Sequence, residues 1–169
     1  MSSLRLIAAS AVCLTTAGCG FQPLYGEGGA SDALATRLAS IRVAQISERF
    51  GQVMTNTLHD GLNPHAMQVP IAYQLEVALR ETTGPYATRA DGTPSRASLA
   101  LSATWTLRNM TNNAVVTGGS TKASAGYDVL DNDYANVVSG NSGELRAVRD
   151  LSDQIETSVA VYLQAHPKT

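Results

Sequence analysis

The chain has 169 residues, with 12 basic and 14 acidic side chains and a formal charge of −2. That balance lacks the basic field that binding a phosphate backbone requires, so nucleic acid is excluded as a partner. A 44% hydrophobic content is enough for one core of ordinary size, and the length fits a single domain.

Met1 to Arg5 carries one basic side chain, and Leu6 to Thr16 is uncharged and mostly apolar. The run is too short for a bilayer span, which takes about 20 residues, but it matches a signal-peptide core. Thr16-Ala17-Gly18-Cys19 then sets small residues before a cysteine. Small side chains let the chain enter a narrow protease site extended, and the thiol is the nucleophile that takes a diacylglyceryl group. Residues 1–18 therefore read as a lipoprotein signal peptide and Cys19 as the lipidated residue, although Thr16 stands where a lipobox normally has Leu. An ordinary secretory signal or a buried N-terminal helix are the competing readings. Each buried methylene contributes about 0.8 kcal/mol, so two or three acyl chains anchor stably where one is marginal. Gly20, in place of the Asp that marks inner-membrane retention, favours the outer membrane. Cys13 leaves with the signal and Cys19 is acylated, so no disulfide is expected.

Residues 19–40 read as a lipidated tether, because Gly20, Pro23, Gly26, Gly28 and Gly29 favour an irregular path,. Phe21, Leu24 and Tyr25 are apolar for such a segment, which makes them candidates for contact with a membrane or a partner's wall; a flap over the domain's own core is the alternative. One domain is expected over 41–169. Ile41 to Ile46 predicts a short strand. Ser47 and Glu48 predict the start of a helix carrying Phe50, Val53, Met54, Thr57, Leu58 and Leu62 on one face, stopped at Asn63-Pro64. Ile71 to Glu81 alternates as a strand with one wet face, and Thr82 to Pro94 reads as a loop around Gly84-Pro85 and Asp91-Gly92. Strands follow from about Ser95 to Arg108 and Ala114 to Tyr127, with a turn at 109–113. Asp128 to Gly143 is polar, and a helix from Ser142 to about Ala165 carries a stripe of Leu145, Val148, Leu151, Ile155, Val159 and Tyr162. The order predicts an α+β two-layer sandwich, with two helices on one face of a four-stranded, mostly antiparallel sheet.

Signals for catalysis are weak. His59, His65 and His166 lack a paired metal-ligand spacing, no nucleophile elbow or phosphate-cradling loop is present, and Asp128, Asp131 and Asp133 lack the full ligand series of a calcium loop,. No enzyme activity, metal or cofactor is expected. Arg89 and Arg96, around Asp91-Gly92, are more suggestive, since a guanidinium fork matches phosphate oxygens; ordinary surface charge, paired to Asp91, is the alternative.

Cys19-Gly20-Phe21-Gln22-Pro23-Leu24-Tyr25-Gly26 resembles the mature start of the bacterial LPS-assembly lipoproteins, the LptE family. The likeness continues through Glu48-Arg49-Phe50-Gly51-Gln52, Asn56-Thr57-Leu58, Ala90-Asp91-Gly92-Thr93, Arg96, Tyr127 and Tyr134-Ala135. Membership would imply a lipid-anchored outer-membrane protein that sits in the lumen of an LptD-like β-barrel. Its role would be to plug that barrel, assist its assembly and help deliver lipopolysaccharide to the outer leaflet. On that resemblance Arg89 and Arg96 become candidate contacts for lipopolysaccharide phosphates. An accessory lipoprotein of an inner-membrane transporter, and a periplasmic ligand-binding lipoprotein, remain open.

Overall fold

The computed structural model describes residues 29–47, 50–90, 92–129 and 132–167. The first element corrects the tether reading from Gly29 onward, residues 19–28 lying outside those described. Gly29–Ala39 is a helix, α1. The irregular cues lie at or before Gly29, whereas Ala30, Ala33, Leu34, Ala35, Leu38 and Ala39 are strong helix formers. Asp32 in the first turn and Arg37 in the last complement the helix dipole,, and Leu34 and Leu38, one turn apart, are both buried,.

Strand β1, Ile41–Val43, follows, and then helix α2, Gly51–Leu62. Phe50 holds the N-cap position without a side-chain cap bond; the expected start at Ser47 and Glu48 is displaced, and Glu48 lies outside the described residues. Met54, Leu58 and Leu62 are buried at four-residue intervals, while Val53 is exposed. The apolar stripe is thus narrower than the sequence spacing implied. Asn63 closes the helix ahead of Pro64, as the restriction on a residue before proline predicts.

Strands β2, Tyr73–Thr88, and β3, Pro94–Asn109, form a long antiparallel hairpin, from Tyr73 opposite Asn109 to Thr88 opposite Pro94. The loop expected from Thr82 to Pro94 shrinks to a tight turn with Gly92 at φ 85°. Gly84 and Pro85 lie within the strand, and the register shifts only beyond Pro85. Strand β4, Val115–Asp128, pairs antiparallel with β3, and helix α3, Asp133–Ala165, ends the fold. The α3 helix begins well before Ser142 because Asn132 caps it, accepting from the Ala135 N–H at 3.2 Å,. Sheet order is β1-β2-β3-β4, with β1 parallel to β2 and the rest antiparallel.

The two-layer sandwich predicted from the sequence is the fold observed, with α1 added. Leu75, Leu99, Leu101 and Leu107 from the sheet meet Met54, Leu58, Val148, Leu151, Ile155, Val159 and Leu163 from the helices in one core. Two stripe positions differ from expectation: Leu145 is exposed, and Leu163 rather than Tyr162 is fully buried. Trp105 faces Gly119 across the ladder, and the absent side chain there leaves space for the indole.

On the opposite, wet face, Glu76 accepts from Arg108 Nε at 3.1 Å, from Gln74 at 3.2 Å and from Thr106 at 3.4 Å. The Arg108 hydrogen bond holds the Glu76 carboxyl below its ordinary range,. Along the outer edge of β4, α3 sends Arg146 to the Gly126 carbonyl at 3.2 Å and Gln154 to the Lys122 carbonyl at 3.4 Å. Eight helical residues rise about 12 Å and four strand residues about 13 Å, so the two spacings match. Two carbonyls of the β4 edge are thereby occupied by side chains of α3.

Candidate functional site

The β2–β3 hairpin turn and the start of α3 share one end of the sandwich, because β4 finishes against β3: Arg96 is opposite Asp128, and the Val129 N–H bonds the Ser95 carbonyl at 2.9 Å. The hairpin closes through Arg89 N–H to the Thr93 carbonyl at 2.7 Å and Gly92 N–H to the Arg89 carbonyl at 3.0 Å. From that turn the Arg89 guanidinium reaches the Pro94 carbonyl at 3.3 Å and the Val129 carbonyl at 3.2 Å. Arg96 Nε meets Asp128 Oδ1 at 3.0 Å, with both side chains more than half exposed.

The structure therefore brings the two predicted arginines together over the adjacent residues Asp128 and Val129. Arg96 gives Asp128 one of the five N–H groups that a guanidinium carries,. Asp91, the partner weighed from sequence, lies outside the described residues; the observed partner of Arg96 is Asp128. Arg146 adds a third guanidinium at Gly126, two residues down the same strand. The same end of the sandwich exposes apolar side chains: Tyr86 is 75% exposed and Tyr134 79%, with Val137 and Val138 on the same helix face as Tyr134. From Tyr134 to Ser142 no side chain of α3 is fully buried. Guanidinium groups and exposed aromatic and branched aliphatic side chains at one end of the sandwich suit a ligand that has phosphates at one end and hydrocarbon at the other.

Other predicted positions fall elsewhere. Cys19, Phe21, Leu24 and Tyr25 lie outside the described residues, as does Asp131, and Asp133 opens α3. Among the described residues no group of three or more His, Cys, Asp or Glu side chains is placed to hold a metal, and no helix is long and apolar enough to cross a membrane. His166 stacks on Tyr162 with ring centroids 4.3 Å apart. His59 is exposed, 3.5 Å from Asp60.

A second feature had no signal in the sequence. An open cleft of about 540 Å³ lies between β1, α2 and residues 67–71, lined by Ile41, Val43, Met67, Val69 and Ile71 on its apolar side and by Arg42, Asn56 and His59 on its polar side. Its lining comes from three segments far apart in sequence, so no local pattern announces it.

No family model matches the chain, and no curated protein matches it. Among solved structures it is similar to a candidate lipoprotein from Caulobacter crescentus, with 28% identity and a TM-score of 0.66 over 80% of this chain and 98% of that one. A minor lipoprotein from Acinetobacter baumannii aligns with a TM-score of 0.55 at 16% identity, over 73% of this chain and 92% of that one. An uncharacterized lipoprotein B from Nitrosomonas europaea has the same TM-score at 14% identity, over 76% and 92%. The last two likenesses show a shared fold. The chain has the architecture of bacterial lipoproteins.

Proposed function

We propose that this chain is a lipoprotein anchored in the outer membrane through Cys19, which plugs an LptD-like translocon barrel, assists its assembly and helps deliver lipopolysaccharide to the outer leaflet. The observation that carries the lipoprotein reading is the 28% likeness to the Caulobacter structure across nearly all of that protein, on a sequence whose own start reads as a lipobox. The barrel and lipopolysaccharide parts rest on the resemblance of Cys19 to Gly26 and on the hairpin end, where Arg89, Arg96, Tyr86 and Tyr134 offer cations beside apolar surface. A barrel interior is polar, and the wet face formed by Gln74, Glu76, Arg80, Thr104, Thr106 and Arg108 suits such a wall. The role as proposed is one of binding and positioning, with no covalent chemistry on the lipopolysaccharide.

The anchor is tested by fractionating cells that carry the full-length protein and its Cys19→Ala variant. The reading predicts the parent in the outer membrane and the variant released from it. An inner-membrane location would favour a transporter accessory, and indifference to Cys19→Ala would remove the lipoprotein reading. The cleft beside β1 favours a second reading, a periplasmic ligand-binding lipoprotein. Saturable uptake of one small molecule, abolished by filling the cleft with Val43→Trp, would establish that reading instead.

A further inference from the structure

Helices α2 and α3 run the same way along the sheet. α3 passes Gly126 and then Lys122, against the direction of β4, and α2 returns from the end of β1 to the start of β2. They touch where Glu156 lies over Gly61. Ten residues back from that contact, about 15 Å along either axis, α2 begins at Gly51, level with Arg146 of α3. Upstream of that level α3 has no α2 beside it. Tyr134, Val138 and Leu145 precede Glu156 by 22, 18 and 11 residues. Those spacings are close to whole turns, so the three share the face that meets α2 lower down. Val137 flanks them, and all four side chains are exposed. Valine and tyrosine form helix less readily than alanine or glutamate, so these residues serve no need of the helix itself. A helix face meant for water carries polar and charged side chains, and these four are apolar or aromatic.

We propose that this face of α3, from Tyr134 to Leu145, seats a hydrocarbon chain of the ligand whose phosphates Arg89 and Arg96 meet. The inference rests on the reading of the hairpin end as a phosphate site and adds where the rest of the ligand lies. Arg89 donates to the Val129 carbonyl at 3.2 Å, and Val129 is five residues ahead of Tyr134. Chain length alone therefore keeps that carbonyl within about 18 Å of Tyr134. From Tyr134 to Leu145 the helix rises about 16 Å, and the acyl chains of one bilayer leaflet reach about 15 Å. A chain of leaflet length thus spans all four side chains with its charged end toward the hairpin. The available area also argues for a chain rather than a protein. A stable protein interface takes about 800 Å² from each partner, whereas four half-exposed side chains offer no more than about 400 Å². A single hydrocarbon chain needs only such a strip.

The test uses the purified full-length protein with butyl, octyl and dodecyl phosphate below their aggregation limits, and with lipopolysaccharide and its deacylated form. Alkyl phosphate affinity should rise roughly twofold per methylene, as half-burial of each predicts. Methyl signals of Val137, Val138 and Leu145 should move with dodecyl phosphate and stay in place with butyl phosphate. Val138→Asp with Leu145→Asp should abolish the chain-length dependence and leave butyl phosphate and deacylated lipopolysaccharide bound as before. Both side chains are exposed, so the pair removes no core. Arg89→Ala with Arg96→Ala should do the reverse, weakening every probe ~10-fold or more and keeping the rise per methylene. Affinity that depends on the two arginines but not on chain length overturns this inference and leaves the phosphate reading standing. Binding of neither lipopolysaccharide nor any alkyl phosphate overturns both. A changed oligomeric state in the aspartate variant assigns the face to a protein partner and overturns the inference. So does loss of a co-purified barrel with lipopolysaccharide binding intact.

Discussion

The carboxylate of Glu156 on α3 occupies the space above Gly61 on α2 where any other residue would carry its Cβ. Two helices of the sandwich therefore touch through one glycine and one acid. Partial burial in that seat, with the Asp153 charge nearby, raises the Glu156 carboxyl to about 7 from its ordinary value of 4.5,.

A pH dependence follows. Because the folded-state value is raised, the folded chain binds the proton more tightly than the unfolded one. The stabilisation is full below pH 4.5 and is lost as pH rises through about 7,. Discounted for solvent access, the loss amounts to ~1–2 kcal/mol. Unfolding free energies from denaturant titrations should fall by that amount from pH 5 to pH 8 in the parent and stay level in Glu156→Gln.

Two glycines of α2 should respond differently to the same added methyl. At Gly61 the obstruction is the far end of a flexible Glu156 side chain, which can swing into water. Gly61→Ala should change stability by less than ~1 kcal/mol, helped by helix propensity, and should abolish the pH dependence. At Gly51 the obstruction is the Ile46 backbone carbonyl, which cannot move without shifting the link from β1. Gly51→Ala should destabilise by ~2 kcal/mol or more, read from urea midpoints.

Besides the buried Leu34 and Leu38, α1 is tied to the rest of the fold by Arg37, whose guanidinium donates to the Leu163 and His166 carbonyls at the end of α3. A cation at a helix C-terminus satisfies orphan carbonyls and opposes the dipole. Arg37→Ala should speed amide exchange in α1 by ~10-fold while leaving the β2–β3 hairpin unchanged.

At the hairpin end, the Arg96–Asp128 pair is exposed on both sides, so breaking it should change stability by no more than ~1 kcal/mol. Binding should change far more if the two arginines meet phosphate. Arg89→Ala with Arg96→Ala should weaken lipopolysaccharide binding ~10-fold or more, and Asp128→Asn, which releases Arg96, should strengthen it ~2–5-fold. Unchanged affinity in all three variants, measured on purified protein, would remove these residues from the ligand site.

Alternating residues from Leu99 to Leu107, and the four-residue spacing of Met54, Leu58 and Leu62, carried most of the fold in their sequence. The same alternation failed beyond Thr82, because Gly84 and Pro85 look like a turn unless the pairing with Ala97 and Ser98 is known. Cooperative pairing with β3 outweighs the local preference there. The start of α3 was hidden for a related reason: its apolar residues Tyr134, Val137 and Val138 face water and do not continue the buried stripe of the later turns, and the cap at Asn132 is a single residue. Of the candidate site, Arg89 and Arg96 were legible as residue types at a turn. Their convergence on Asp128 and Val129, the exposed Tyr86 and Tyr134, and the cleft beside β1 depend on strand register and helix placement, which no single segment encodes.

The measurement that bears most directly on the proposed role is recovery of the tagged, full-length protein from outer membranes in mild detergent, followed by identification of its partner. An LptD-like β-barrel is expected in equal amount, lost when the lipidation site is changed by Cys19→Ala. Recovery of inner-membrane transporter subunits, or of the protein alone, would contradict it.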